Sequence, residues 1–335
     1  MESTSKRDLK IDILRFIAIM GIIIAHSTPN DIIFEIRNFD VTLLVILLGT
    51  SFFISNNNKK INYFSYVIKR FNRLVIPTWI FLVVFFSLFF ILSLVLNQNY
   101  YFSLSQILSS FMLLSGIGYV WVMRVFFIIA LVSPLLLNIS QKIRNHTIYL
   151  SLVIICLFIQ LLFLYIYSKS GGVFAKGLEY ILLPGLGYSV VAAIGIRLKR
   201  LHFKSLIVYT LSFLLIFILF LYLNDFHSTQ LDKYPPGIHY LSYGVFCSLF
   251  LYIVLHFKPV FKIFDWRIVY FISRNSLWLY FWHIIPVQLI FVFGLDKSIA
   301  NNFFTRFLFI FIVAFIFTYI HYRLKKKLKR GVIEK

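Results

Sequence analysis

Ten apolar runs, each about long enough to cross a bilayer as a helix, fill most of this 335-residue chain. They lie at roughly 11–28, 40–55, 74–96, 119–138, 148–167, 178–197, 205–223, 238–257, 273–293 and 303–322. Lipid offers no partner to a backbone N–H or C=O, so a spanning segment must satisfy itself as a helix or join a closed barrel. Continuous runs of this length select the helix. Composition agrees, with 60% hydrophobic and 13% charged residues. The predicted fold is therefore all-α: a polytopic transmembrane helix bundle of about ten spans, forming one integral-membrane domain over residues 1–335. The run at 40–55 is short, bounded by Asp40 and Asn56, and is expected to tilt little or sit inside the bundle. Leu104 to Leu114 is too short to span and is read as interfacial or re-entrant.

The net charge of +21 would suit a nucleic-acid binder, but its distribution argues against one. Lys and Arg gather in short clusters in alternate connections: Lys6, Arg7 and Lys10, then Lys59 to Arg73, Lys142 and Arg144, Arg197 to Lys204, Lys258 to Arg274, and the tail from Arg323 to Lys335. The intervening connections hold only Arg37, Lys169, Lys176, Lys233 and Lys297. Basic connections face the cytoplasm, so both termini are expected there, in a multi-pass protein of the inner or plasma membrane. The tail Lys325 to Arg330 is expected to rest on anionic lipid headgroups. The first run lacks a small-residue cleavage pattern and is read as a retained span. Cys156 and Cys247 are read as small buried hydrophobes without metal-ligand spacing.

Orientation sorts the polar residues within or beside the spans into two depths. Near the cytoplasmic side lie Asp12, Arg15, Arg70, Arg73 and Arg274. Arginine presents a planar fork of donors that matches phosphate oxygens, so this group reads as a phosphate cradle. Asp12 and Arg15, three residues apart, can meet on one helix face. Near the other side lie His26, Arg124, Glu179 and His239, with His283 midway along its span. Histidine exchanges protons near neutral pH. His26 suits a general base acting on a hydroxyl, and Glu179 suits the group that orients a histidine. Arg15 and His26 share one helix, about 16 Å apart along its axis. Arg124 and His239, at helix ends, are read as solvated, and so are His146, His202, His227 and His256. The eight histidines show no HExxH-like cluster, so no metal site is expected.

Three segments carry a resemblance. Leu14-Arg15 is separated by ten residues from His26-Ser27. Arg70-Phe71-Asn72-Arg73 leads into an apolar run through Pro77. Ser273-Arg274-Asn275-Ser276-Leu277 runs on to Tyr280 and His283. Together these resemble the membrane acyltransferase 3 family over nearly the whole chain. Lys233 to Gly244 is similar to members that modify surface glycans, and Trp121 stands where many members carry a tryptophan, although Val120 replaces the histidine often found before it. The resemblance implies transfer of an acyl group, usually acetyl from acetyl-CoA, to a hydroxyl of a carbohydrate. Together with the sorting by depth, it leads to catalytic roles expected for His26, Glu179 and His283, and donor binding by Asp12, Arg15, Arg70, Arg73 and Arg274. Acyl-CoA, a carbohydrate acceptor, membrane lipid and unfused glycan-assembly proteins are the implied partners. The alternative is an exporter of a surface polysaccharide or lipid-linked sugar, which should show broken helices or internal repeats; Pro184-Gly185-Leu186-Gly187 could provide a break.

Ten spans with basic cytoplasmic connections make a topological prediction. Reporters active only in the cytoplasm should be active when fused after Lys60, Arg200 and Lys335, and inactive after Lys233. Activity after Lys233 would contradict the assignment.

Overall fold

Every long apolar run folds as helix, because internal N–H···O=C pairing leaves only side chains facing outward. The computed structural model describes residues 8–298 and 300–333, and no β-strand occurs among them. Lys6, Arg7 and Lys335, assigned to the cytoplasmic side, lie outside the described residues, as do the side chains of Lys329 and Arg330. In chain order the helices are α1 (Leu9–Ala25), α2 (Asp31–Ile36), α3 (Asp40–Asn56), α4 (Tyr63–Val95), α5 (Leu104–Phe111), α6 (Trp121–Lys142), α7 (His146–Ser168), α8 (Gly172–Gly177), α9 (Leu183–Leu198), α10 (Phe203–Leu223), α11 (Ile238–Val254), α12 (Lys258–Phe264), α13 (Arg267–Arg274), α14 (Ser276–Trp282), α15 (Ile284–Phe293) and α16 (Phe303–Ile333).

Among the described residues, seven segments are long and apolar enough to cross a membrane, and α11 with α12, bent by 102° at their break, makes an eighth. Helices α1 and α3 are equally apolar but only 17 residues long. They reach about 25 Å against a hydrocarbon core of about 30 Å. Lipid-facing surfaces are visible as exposed apolar stripes, such as Val208, Leu211, Leu215 and Leu219 on α10. Cys156 is exposed beside Leu152 and Ile155 on α7, not buried as its apolar run suggested.

The chain forms two compact units, Met1–Asp40 with Leu251–Lys335, and Val41–Phe250. In the first, α1 packs against α13, α14 and α16. In the second, α9 is the central helix, buried from Val190 to Leu198 and packed on α6 and α7. It also crosses α3 at very close range. A Cβ on Gly195 would lie 2.1 Å from the Ile46 carbonyl oxygen, and one on Gly49 would lie 2.4 Å from that of Ala192. Thr50 Oγ1 donates across the same crossing to the Gly195 carbonyl at 2.8 Å. Small residues with one interhelical hydrogen bond are how apolar helices dock without a hydrophobic driving force.

Two expectations about helix boundaries are corrected. Arg70 and Arg73 do not precede a span; they lie within the 33-residue α4, which begins at Tyr63 behind an Asn62 cap accepting from Ser65. Arg274 does not begin a span either. It ends α13, and Asn275 separates α13 from α14. The helical hydrogen-bonding is interrupted again for one residue at His283, within a single span Ser276–Phe293. Pro286 explains this second interruption, since it lacks an N–H and cannot pair with the carbonyl of Trp282 four residues back. The short α5 forms as expected, with a reciprocal Ser103–Gln106 capping box.

Arg197, one of the cations expected on the cytoplasmic side, is fully buried. Its Nη1 and Nη2 donate to the carbonyls of Ser140 and Arg144 at 2.6 Å each, and Nε donates to His146 Nδ1 at 3.2 Å. The guanidinium caps the C-terminal end of α6, where helix carbonyls lack partners and the dipole favours a cation.

The Gly195 crossing is directly testable. The obstructing atoms are backbone and cannot rotate away, so Gly195→Ala should cost about 2 kcal/mol or more of stability. Thermal unfolding in detergent would measure this, and an unchanged midpoint would contradict the close crossing.

Candidate functional site

In the first unit, α1 carries polar groups at both ends. Asp12 is in its first turn and buried. Arg15 Nη1 lies 3.6 Å from Asp12 Oδ1, and Ser273 Oγ on α13 donates to that oxygen at 2.8 Å. A carboxylate in such surroundings is costly unless paired, so this contact fixes α1 against α13. Arg274, next along α13, is exposed and lines a hollow of about 280 Å³ with Arg267, Tyr270 and Asn275. Two arginines at one hollow give a site able to take phosphate oxygens.

At its other end α1 stops at His26, whose backbone N–H closes the last turn on Ile23 and Ile24. The His26 ring is half-buried and lies 5.3 Å, centroid to centroid, from that of His283. His283 is fully buried at the α14–α15 break, with Nδ1 against the Tyr280 carbonyl. A carbonyl offers no proton, so Nδ1 carries the hydrogen, and in the neutral ring the lone pair sits on Nε2. Two imidazoles far apart in sequence thus meet, one with a fixed tautomer. His321, which the sequence reading did not single out, stacks on Trp278 at 3.7 Å. Just beyond α1, Arg37 forms a buried ion pair with Asp40 at 2.9 Å and covers the Phe34 ring.

The second unit holds the remaining predicted residues. Arg70 is half-buried with its guanidinium 4.9 Å over the Tyr66 ring, and Arg73, one turn on, is exposed. Glu179 sits in a π-helical turn, Leu178–Leu182, ahead of Pro184. Such turns insert an extra residue and recur at functional positions. The turn lets the helix run on into α9, so Pro184 does not break it. Glu179 lines a cavity of about 320 Å³ with Trp121, Arg124, Tyr180, Lys233 and Tyr234.

Arg124 was read as solvated. It is instead partly buried, with Nη1 on the Leu113 carbonyl at 2.8 Å and the guanidinium 5.0 Å over Tyr180. Its buried Nε has no hydrogen-bond partner among the described residues. Trp121 and Tyr234 meet edge to face at 4.9 Å, giving the cavity an aromatic wall. Gln160, fully buried on α7, donates to the carbonyls of Leu183 and Pro236 at 3.0 Å each and so ties two sides of the cavity together.

His227 and His239, both read as solvated, instead share a carboxylate. His239 is buried, and both rings contact Asp232 Oδ2. Burial alone would raise the Asp232 pKa, but hydrogen bonds from the two histidines and their charge outweigh it and hold the pKa below the usual carboxylate value. Loop spacing does not reveal this cluster.

The helical architecture, with seven or eight membrane-length apolar helices among the described residues, defines a membrane protein. The chain belongs to the acyltransferase 3 family: the family's acyltransferase-domain model matches residues 8–323. No curated protein and no solved structure matches it.

The Asp12 contact is expected to matter for folding as well as for position. Asp12→Ala should cost about 3 kcal/mol, since it removes the buried acceptor of Ser273 and the carboxylate paired with Arg15. Asp12→Asn should cost less, because its amide oxygen can still accept from Ser273. Equal unfolding midpoints for wild type and Asp12→Ala would overturn this reading.

Proposed function

We propose that this membrane acyltransferase moves an acetyl group from cytoplasmic acetyl-CoA to a hydroxyl of a cell-surface polysaccharide or its precursor. The observation that carries the proposal is the arrangement along α1: an arginine–carboxylate group at one end, and the His26–His283 pair at the other. Arg15 and Arg274 are assigned to donor phosphates, with Asp12 as the group that holds Arg15. Arg70 and Arg73 carry the family's second motif and are proposed as a further phosphate-binding pair. The pantetheine arm would carry the thioester away from the charged end.

His26 takes the proton from the acceptor hydroxyl as its oxygen attacks the thioester carbonyl carbon. The C–S bond breaks, the thiolate leaves, and the imidazolium returns the proton to it. The products are the O-acetyl ester and free CoA. His283, fixed by Tyr280, is proposed to set the His26 ring and share its proton. In the second unit, the aromatic walls with Arg124 and Glu179 are proposed to bind sugar rings of the acceptor; an Arg and a carboxylate between aromatic faces suit a polyhydroxylated ring. Ten spans, both termini in the cytoplasm and a location in the plasma membrane complete the proposal, with the whole chain acting as one domain.

Export is the second reading. It is favoured by the helix break at Asn275 and by the α11–α12 bend. Surface polymer from cells carrying His26→Ala separates the two. At matched protein level, the polymer should be normal in amount and lack O-acetyl signals by NMR. Normally acetylated polymer trapped inside the cell would favour export instead.

A further inference from the structure

Between α10 and α11, the chain from Asn224 to Gly237 folds back so that Asp232 lies under the first turn of α11. The Gly237 N–H donates to the Asp232 carbonyl at 2.7 Å. A side chain at Gly237 would press on Asp232, since its Cβ would meet that of Asp232 at 3.2 Å. His239 is 1% exposed, and Phe217 of α10 stacks on its ring, 11° from parallel at 5.4 Å. That ring is therefore held in one orientation, with Nδ1 turned to Asp232.

Three ligand-type atoms converge there. His239 Nδ1 is 3.1 Å, and His227 Nε2 is 3.0 Å, from Asp232 Oδ2. All three atoms lie within 4.8 Å of one another. A tetrahedral ion with bonds near 2.0–2.1 Å sets its ligands about 3.3 Å apart. Both histidine–carboxylate separations are close to that edge. The His227 and Asp232 side chains are 33% and 29% exposed, so an ion can enter from their side and keep a water in the fourth position.

We propose that His227, Asp232 and His239 form a binding site for a divalent transition-metal ion of the zinc class. Two imidazoles and one carboxylate suit this borderline ion better than calcium or magnesium, which prefer oxygen ligands. Bound metal would pin the loop whose next residues, Lys233 to Pro236, line the cavity of the same unit. The inference is independent of acyl transfer. The absence of an HExxH-like cluster leads to the expectation of no metal site; here the ligands come from a loop and a helix start.

The test uses full-length protein in detergent, with any histidine tag removed and adventitious metal chelated. Titration with Co²⁺, followed by its visible absorption, should show saturable binding of one ion per chain, displaced by Zn²⁺. His227→Ala and Asp232→Asn should each weaken binding at least about tenfold, and His202→Ala should leave it unchanged. His227 is the decisive position, because His239 is packed in the core and its replacement can disturb folding. Absence of stoichiometric binding, or equal affinity in wild type, His227→Ala and Asp232→Asn, would show only a hydrogen-bonded cluster and overturn the proposal.

Discussion

A polar side chain buried among apolar helices must bring its partners with it, and this requirement fixes much of the structure. Water cannot supply the missing bond, so each buried donor or acceptor selects a particular packing. Asp12 brings α13 to α1 through Ser273. Arg197, with no carboxylate partner among the described residues, takes the carbonyls at the end of α6 instead. Gln160 joins Leu183 to Pro236, and Thr50 joins α3 to α9. Apolar packing alone leaves helix rotation loosely specified; these contacts choose the rotation.

The same requirement shapes the site. At the α14–α15 break, Pro286 interrupts the pairing of the helix, and His283 takes the interrupted position with Nδ1 on a carbonyl. With Nδ1 held by the Tyr280 carbonyl, the lone pair of the neutral ring sits on Nε2. His26 reaches it because α1 ends there. In the second unit, the π turn that accommodates Pro184 also carries Glu179 into the cavity. In both places a proline that disturbs the helix lies three to five residues from a titratable side chain.

The sequence exposed what is periodic or local. Apolar runs reveal helices because each span must satisfy its own backbone, and Asp12 with Arg15 was visible as a three-residue spacing on one face. Motif order led to His26 and His283, though their ring contact depends on the tertiary fold. Boundaries were less legible. Arg274 was placed at the start of a span because nothing local announces the break at Asn275, where no glycine or proline stands. Burial of charge was the least legible feature. Arg197 resembles any other cation at a helix end until its carbonyl partners are known. His227, Asp232 and His239 are dispersed in sequence and assembled by a returning loop.

The central claim is that the chain itself catalyses acyl transfer with His26 as base. The most direct measurement is turnover of acetyl-labelled CoA by purified protein in nanodiscs, where no transmembrane gradient exists, with a surface glycan added. Wild type should release free CoA and label the glycan, and His26→Ala should do neither while still binding CoA. An intact thioester with folded wild-type protein and acceptor present, or equal turnover by His26→Ala, would contradict the account.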